Sequence, residues 1–313
     1  MRHRRTQAAP VLTIALIALL GFSPAARTAA TRQEGGHKAA TLFAVYGMQP
    51  PNYYMVPFVI IEGGQFKQPI AGDSDADELS RFTSAYYSKG KKYRVLFGGG
   101  EAGSLTVKKS NKDEECSRSS ADVALQSTAR LNRNVMALAT DSPSLGAVKG
   151  TRRPPTAGER AALMPLVRAA FKEKGLPAAL LPSLTTLNLT ALDLDGDGRG
   201  ELVGSFVAKK AGRGAARYAL SLFAEPQGNS YRTNVLQFDK FTDADLMSGS
   251  DLTAIDNGVY VERLVDALDL DGDGASEVIT EKDGLEGDSY FIYKKQGGKW
   301  NQVYEFSNYR CAF

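Results

Sequence analysis

Eight residues occur twice in this chain: Ala-Leu-Asp-Leu-Asp-Gly-Asp-Gly stands at 191–198 and again at 267–274, and each copy is followed three positions later by Glu. Carboxylates at positions 1, 3 and 5 of an extended chain share one face. Glycines at positions 4 and 6 allow the backbone to curl, so that the three converge. In the first copy these are Asp193, Asp195 and Asp197, with Gly196 and Gly198 between and after them. The residue at position 7, Arg199, offers its backbone carbonyl, and Glu201 at position 9 closes the shell. Asp269, Asp271, Asp273, the Ala275 carbonyl and Glu277 repeat the set. Four carboxylates with a carbonyl and water supply the six to eight oxygens that calcium takes. Magnesium keeps more of its own water and leans on phosphates, so calcium is the expected ion at two sites. Without a cation, four carboxylates so close together repel one another.

Two other accounts of the same residues exist. A solvated Asp-Gly hairpin turn needs no metal. An EF-hand needs helices on both sides and Glu at position 12, where this chain has Gly204 and Thr280. The flanks here are rich in β-formers, which leaves the hairpin-type calcium loop as the leading account.

The elements that position the loops are also duplicated. Strand-like runs at 201–203, 218–224 and 231–238 follow the first loop, and 277–279, 290–294 and 300–306 follow the second. With the strand before each loop, each copy makes a four-stranded antiparallel meander, the shape of a propeller blade. Asp-x-Asp-Gly-Asp-Gly-x-x-Glu flanked by strands resembles the calcium loops of FG-GAP/VCBS-type repeats, as in the β-propellers of integrin α subunits. The resemblance covers about residues 184–306, and both copies here close on Glu where the family usually has Asp. It implies calcium in both loops and blade-like repeats.

The rest of the chain predicts a mainly β (α+β overall) protein. Residues 1–25 read as a signal peptide: Arg2, Arg4 and Arg5, a short apolar run from Val11 to Phe22, and small residues before a cleavage point after Ala25. Residues 26–38 read as a flexible leader and 39–141 as a small β-rich α+β domain. The Pro- and Gly-containing stretch 142–156 reads as a linker. Residues 157–313 hold a helix, opened near Thr156 and interrupted by Pro165, followed by the two repeats. The expected location is exported, periplasmic or extracellular. No segment after the signal approaches a membrane span, so no integral membrane protein is expected once it is cleaved. Export permits a disulfide between Cys116 and Cys311, the only two cysteines.

The two histidines, His3 and His37, both precede the folded body. That removes Ser-His-Asp hydrolysis and His-ligated zinc. A net charge of +3, partly carried by the signal, gives no footprint for nucleic acid. The leading functional reading is an exported, non-catalytic calcium-binding protein whose rigidified β module binds an unknown protein or carbohydrate ligand. The alternative is a carboxylate glycoside or polysaccharide hydrolase with structural calcium, with Glu62, Glu101 and Glu262 as acids that no motif selects. Weaker signals have bland readings. Gly98-x-Gly100-x-x-Gly103 is followed by a strand, which predicts a glycine hairpin rather than a dinucleotide site. Asp73, Asp75, Asp77 and Glu78 open a helix. Asp283, Glu286 and Asp288 are expected in a solvated turn.

Overall fold

In this computed structural model the described residues are 39–49, 51–71, 75–147, 149–246 and 250–309. The signal, the leader with His37, Asp73 and Cys311 lie outside them. Cys116 is disulfide-bonded, and Cys311 is the chain's only other cysteine.

The first half alternates β-branched and aromatic residues in runs long enough for full strands. β1 (Ala40–Gln49) and β2 (Asn52–Glu62) form an antiparallel hairpin, and β3 (Gln65–Lys67) follows the Gly63-Gly64 turn. α1 (Ala76–Tyr86) begins one turn later than the acidic run suggests. Asp75 is its N-cap, accepting from the Asp77 and Glu78 N–H groups at 3.0 and 2.8 Å. β4 (Lys92–Phe97) and β5 (Gly100–Ser110) pair across Gly98 and Gly99, both with left-handed backbone, so the glycine run is the expected hairpin. β6 (Ala121–Ser127) and β7 (Ala137–Thr140) complete the sheet. Its order is β1-β7-β4-β5-β6-β2, and β1 pairs back onto β2, which closes a six-stranded antiparallel barrel with β3 appended. Closure removes the free edges that an open sheet would expose.

The second half begins with α2 (Ala157–Glu173). A capping box holds its start: Glu159 N–H donates to Thr156 Oγ1 at 3.2 Å and Thr156 N–H to Glu159 Oε2 at 2.7 Å. Pro165 lies inside the helix, where it withholds one backbone donor. Then come two separate four-stranded antiparallel sheets. β8 (Thr185–Leu192), β9 (Glu201–Lys210), β10 (Ala216–Gln227) and β11 (Ser230–Phe241) form the first. After the short α3 (Thr253–Asp256), β12 (Glu262–Leu268), β13 (Glu277–Asp283), β14 (Gly287–Gln296) and β15 (Lys299–Tyr309) form the second. Each pairs strands in chain order, as the duplicated pattern requires.

Alternation within the strands builds the layers. Leu202 and Phe206 of β9 face Leu163, Val167 and Phe171 of α2. Val203 faces the second sheet, where Phe223 meets Tyr293 and Trp300 with ring centroids 5.6 and 5.0 Å apart. Val278 and Tyr293 complete that interface, whereas their neighbours Ile279 and Ile292 join the barrel core. Phe58 of the barrel stacks on Tyr290 at 5.1 Å. The second sheet is thus buried on both faces. The 142–156 segment, expected as a tether, is stitched down instead. Ala147 and Thr151 N–H groups donate to Gly99 and Gly98 carbonyls, and Arg153 exchanges two backbone bonds with Ala191. Pro and Gly content is the same for a tether and for a segment that lies flat on a hairpin, so composition could not separate them. Among the described residues, no helix is long and apolar enough to cross a membrane.

Candidate metal centre

Each acidic loop joins the first two strands of its sheet, β8 to β9 and β12 to β13. In the first, Asp193 accepts from Gly196 N–H at 2.9 Å with one oxygen and from Gly198 N–H at 3.1 Å with the other. Asp195 accepts from Asp197 N–H at 3.2 Å, and Asp197 from Arg199 N–H at 2.7 Å. Glu201 reaches back to Leu194 N–H at 2.8 Å. The second loop repeats every one of these bonds: Asp269 with Gly272 and Gly274 at 2.7 and 2.8 Å, Asp271 with Asp273 at 3.3 Å, Asp273 with Ala275 at 2.9 Å, and Glu277 with Leu270 at 2.8 Å. Gly196, Gly198, Gly272 and Gly274 all have φ between +77° and +90°, which L side chains adopt only with strain. The sequence therefore dictates one loop conformation twice.

That conformation brings the carboxylates together. Asp193, Asp195 and Asp197 each offer an oxygen within 4.8 Å of the others, and so do Asp269, Asp271 and Asp273. Oxygens at 2.3–2.6 Å from a common calcium ion are separated by at most about 5 Å, so the donor spacing and chemistry fit a hard cation. Glu201 and Glu277 lie at the start of their strands, 6% and 0% exposed. Burial raises Glu201 to about 7, with Asp195 and Asp197 adding to the rise and the Leu194 N–H opposing it. Glu277 is raised for the same first reason. The N–H groups of Arg199 and Ala275 are fixed on Asp197 and Asp273, and the Arg199 guanidinium donates to the Gly228 carbonyl at 2.6 Å, away from the carboxylates. Asp193 and Asp269 line one cavity of about 320 Å³ together with Gly98, Gly99, Lys149 and Thr151.

Two residues of the site escaped the motif. Lys294 of β14 directs its ammonium onto the second loop: it bonds Asp271, lies 2.8 Å from Asp273 Oδ2 and lies 3.2 Å from Glu277 Oε1. Burial opposes its charge, but the three carboxylates outweigh that and raise its proton affinity. On the first sheet Glu225 of β10 joins Asp195, Asp197 and Glu201 around a cavity of about 260 Å³. Glu225 pairs with Lys295 and accepts from Arg232 at 2.6 Å. The signal for both lay in aligning the third strands of the two repeats, which carry Glu225 and Lys294 at matching places.

The turn residues Asp283 and Asp288 are not solvated. They are 6% and 3% exposed and cluster with Glu281. The counter-charge is already present: Arg263, 2% exposed, lies 2.9 Å from Glu281 and 3.6 Å from Asp283, and Arg133 donates to Asp283 at 3.3 Å. The long reach of Arg263 from β12 buried a hairpin that its Gly and Asp content marked as surface. Glu62 and Glu101 are exposed partners of Lys67 and Arg94. Glu262 is buried and accepts from Thr280 Oγ1 at 2.5 Å. No protein-family model, no curated protein and no solved structure matches this chain.

Proposed function

We propose that this is an exported, non-catalytic calcium-binding protein in which the ion rigidifies a pair of propeller-blade-like β repeats. Asp193, Asp195, Asp197 and Glu201 would hold one ion, with the Arg199 carbonyl, and Asp269, Asp271, Asp273 and Glu277 the other, with the Ala275 carbonyl. One observation carries the reading: two loops reproduce the same five-donor hydrogen-bond pattern, and in each it gathers three aspartate oxygens within 4.8 Å. A surface turn has no need of such convergence, which raises mutual repulsion. An ion binding the folded loops and not the open chain adds its binding energy to the stability of the sheets. A stiffened module would present its surface to a protein or carbohydrate partner. The test is calorimetric titration of the chelator-treated protein with calcium, alongside the Asp193→Ala, Asp269→Ala double variant. Heat of binding in the native chain and none in the double variant is expected; equal behaviour of the two would end the proposal.

A further inference from the structure

The two loops share their backbone and their hydrogen bonds, but not their charge. Ala224 pairs with Leu202 across the first sheet, and Tyr293 pairs with Val278 across the second. The next residue outward, beside the closing glutamate, is therefore Glu225 in one repeat and Lys294 in the other. An acid and a base occupy the same place.

We propose that the loops are unequal cation sites: the first admits the ion directly, whereas Lys294 is the resident cation of the second and must leave before an ion enters. This rests on the calcium reading and refines it. The Lys294 ammonium carries three protons and has three carboxylates around it, Asp271, Asp273 and Glu277, which matches its donor capacity. The Lys294 side chain is 16% exposed, so most of its stem is packed away from water. Glu277 is fully buried, and its Oε1 has no hydrogen bond of good geometry; the ammonium 3.2 Å away is what neutralises it. A calcium ion reaching Asp271, Asp273 and Glu277 would stand where that ammonium stands, and both cannot be held at once. At the first loop two bases, Arg232 and Lys295, line the same cavity, but their partner there is Glu225. Arg199 is spent on the Gly228 carbonyl. Among the described residues Asp195, Asp197 and Glu201 thus make no ion pair of their own, in contrast to the three carboxylates around Lys294.

Calcium titration of the full chain by calorimetry, with Lys294→Met, Lys294→Gln and Asp193→Ala beside it, separates the cases. The native chain should bind one ion tightly and a second at least about tenfold more weakly, or below detection. Either lysine variant should tighten the weak step by about tenfold or more, or raise the stoichiometry from one to two. Methionine keeps the length of the stem and glutamine keeps a polar end, so a folding failure of one leaves the other to read. Asp193→Ala should remove the tight step alone. Two equal steps in the native chain, or a weak step untouched by both lysine variants, would overturn the inequality. Absence of binding in every variant would instead remove the calcium reading beneath it.

Discussion

Asp266→Asn should destabilise the fold without touching either loop. Asp266 lies on β12, fully buried, and accepts from Gly98 N–H at 2.7 Å and from Gly99 N–H at 3.4 Å, which ties the barrel's glycine hairpin to the second sheet. Its electrostatic partner is Arg152, which donates to the Met136 and Val265 carbonyls at 2.9 and 2.7 Å and lies over the Phe97 ring at 4.5 Å. Burial pushes the Arg152 guanidinium down to about 10, opposed by Asp266, so it stays charged at neutral pH. Burial raises Asp266 in turn, while Arg152 and the hairpin N–H groups hold it down. Asparagine can keep the Gly98 bond through its carbonyl oxygen but loses the long Gly99 bond, so its cost combines the charge with that weak contact. Arg152 and Asp266 are coupled across a gap rather than in contact, so stranding one should cost less than the roughly 3–5 kcal/mol of a touching buried pair, a shift of under about 6–10 °C in a chain of this size. Urea denaturation at pH 7 of Asp266→Asn, Arg152→Met and the double variant reads it. The double variant should cost clearly less than the two singles added, because no lone charge remains. A silent Asp266→Asn, or strict additivity, would refute the claim that a charged pair locks the hairpin.

Chelating calcium should lower the melting temperature: at free calcium one hundred times the dissociation constant, a single filled site is worth about 2.7 kcal/mol, or about 5 °C here; an unchanged transition argues against it. Glu159→Gln should cost up to about 1 kcal/mol at pH 7, because the amide oxygen can keep the capping-box bond to Thr156 N–H while the ion pair with Arg153 is lost. Glu159 is held at about 2 by its Arg153 and Thr156 bonds against burial. A depressed carboxylate stabilises above its unfolded value and loses that contribution as pH falls toward 2, so the glutamine variant should show a flatter acid limb between pH 4.5 and 2. Gly150→Ala would place its Cβ 1.9 Å from the Phe97 carbonyl oxygen and should cost at least about 2 kcal/mol. Gly158→Ala, with nothing nearer than Thr156 Oγ1 at 4.0 Å, should be neutral or gain up to about 1 kcal/mol in α2; chemical denaturation of the two variants checks the contrast.

Local chemistry made much of this fold legible. Glycines with a forced backbone placed the hairpin at Gly98-Gly99 and the two loops, Thr156 marked the start of α2, and the duplicated octapeptide announced two like sheets. What sequence could not show was set by contacts across long chain distances. Closure of the barrel depends on β1 pairing with β7 as well as β2, and β7 is four short residues, Ala137–Thr140, with no strong pattern. The burial of Asp283 and Asp288 depends on arginines from Arg133 and Arg263. Asp266 reads as one more polar residue in a strand, and only the approach of Gly98 and Arg152 gives it a role.

The same limit bears on the loops. The motif resides in nine residues, and over those nine the copies agree at all four carboxylates and at the two glycines between and after the aspartates, differing only at Arg199-Gly200 against Ala275-Ser276. The residue that changes the charge beside the carboxylates sits two strands later, because an antiparallel meander folds the third strand's end back beside the loop. Duplication fixes the backbone of a site, since the glycines and the Asp-to-N–H bonds are local. It leaves the charge of the site free to drift, since that is completed from a neighbouring strand under separate sequence control. Two loops identical by motif can therefore differ by two units of formal charge at one shared place, Glu225 against Lys294. If the loops take a divalent ion as proposed, that difference should weigh on occupancy at least as much as the motif does, and the Lys294 variants read it.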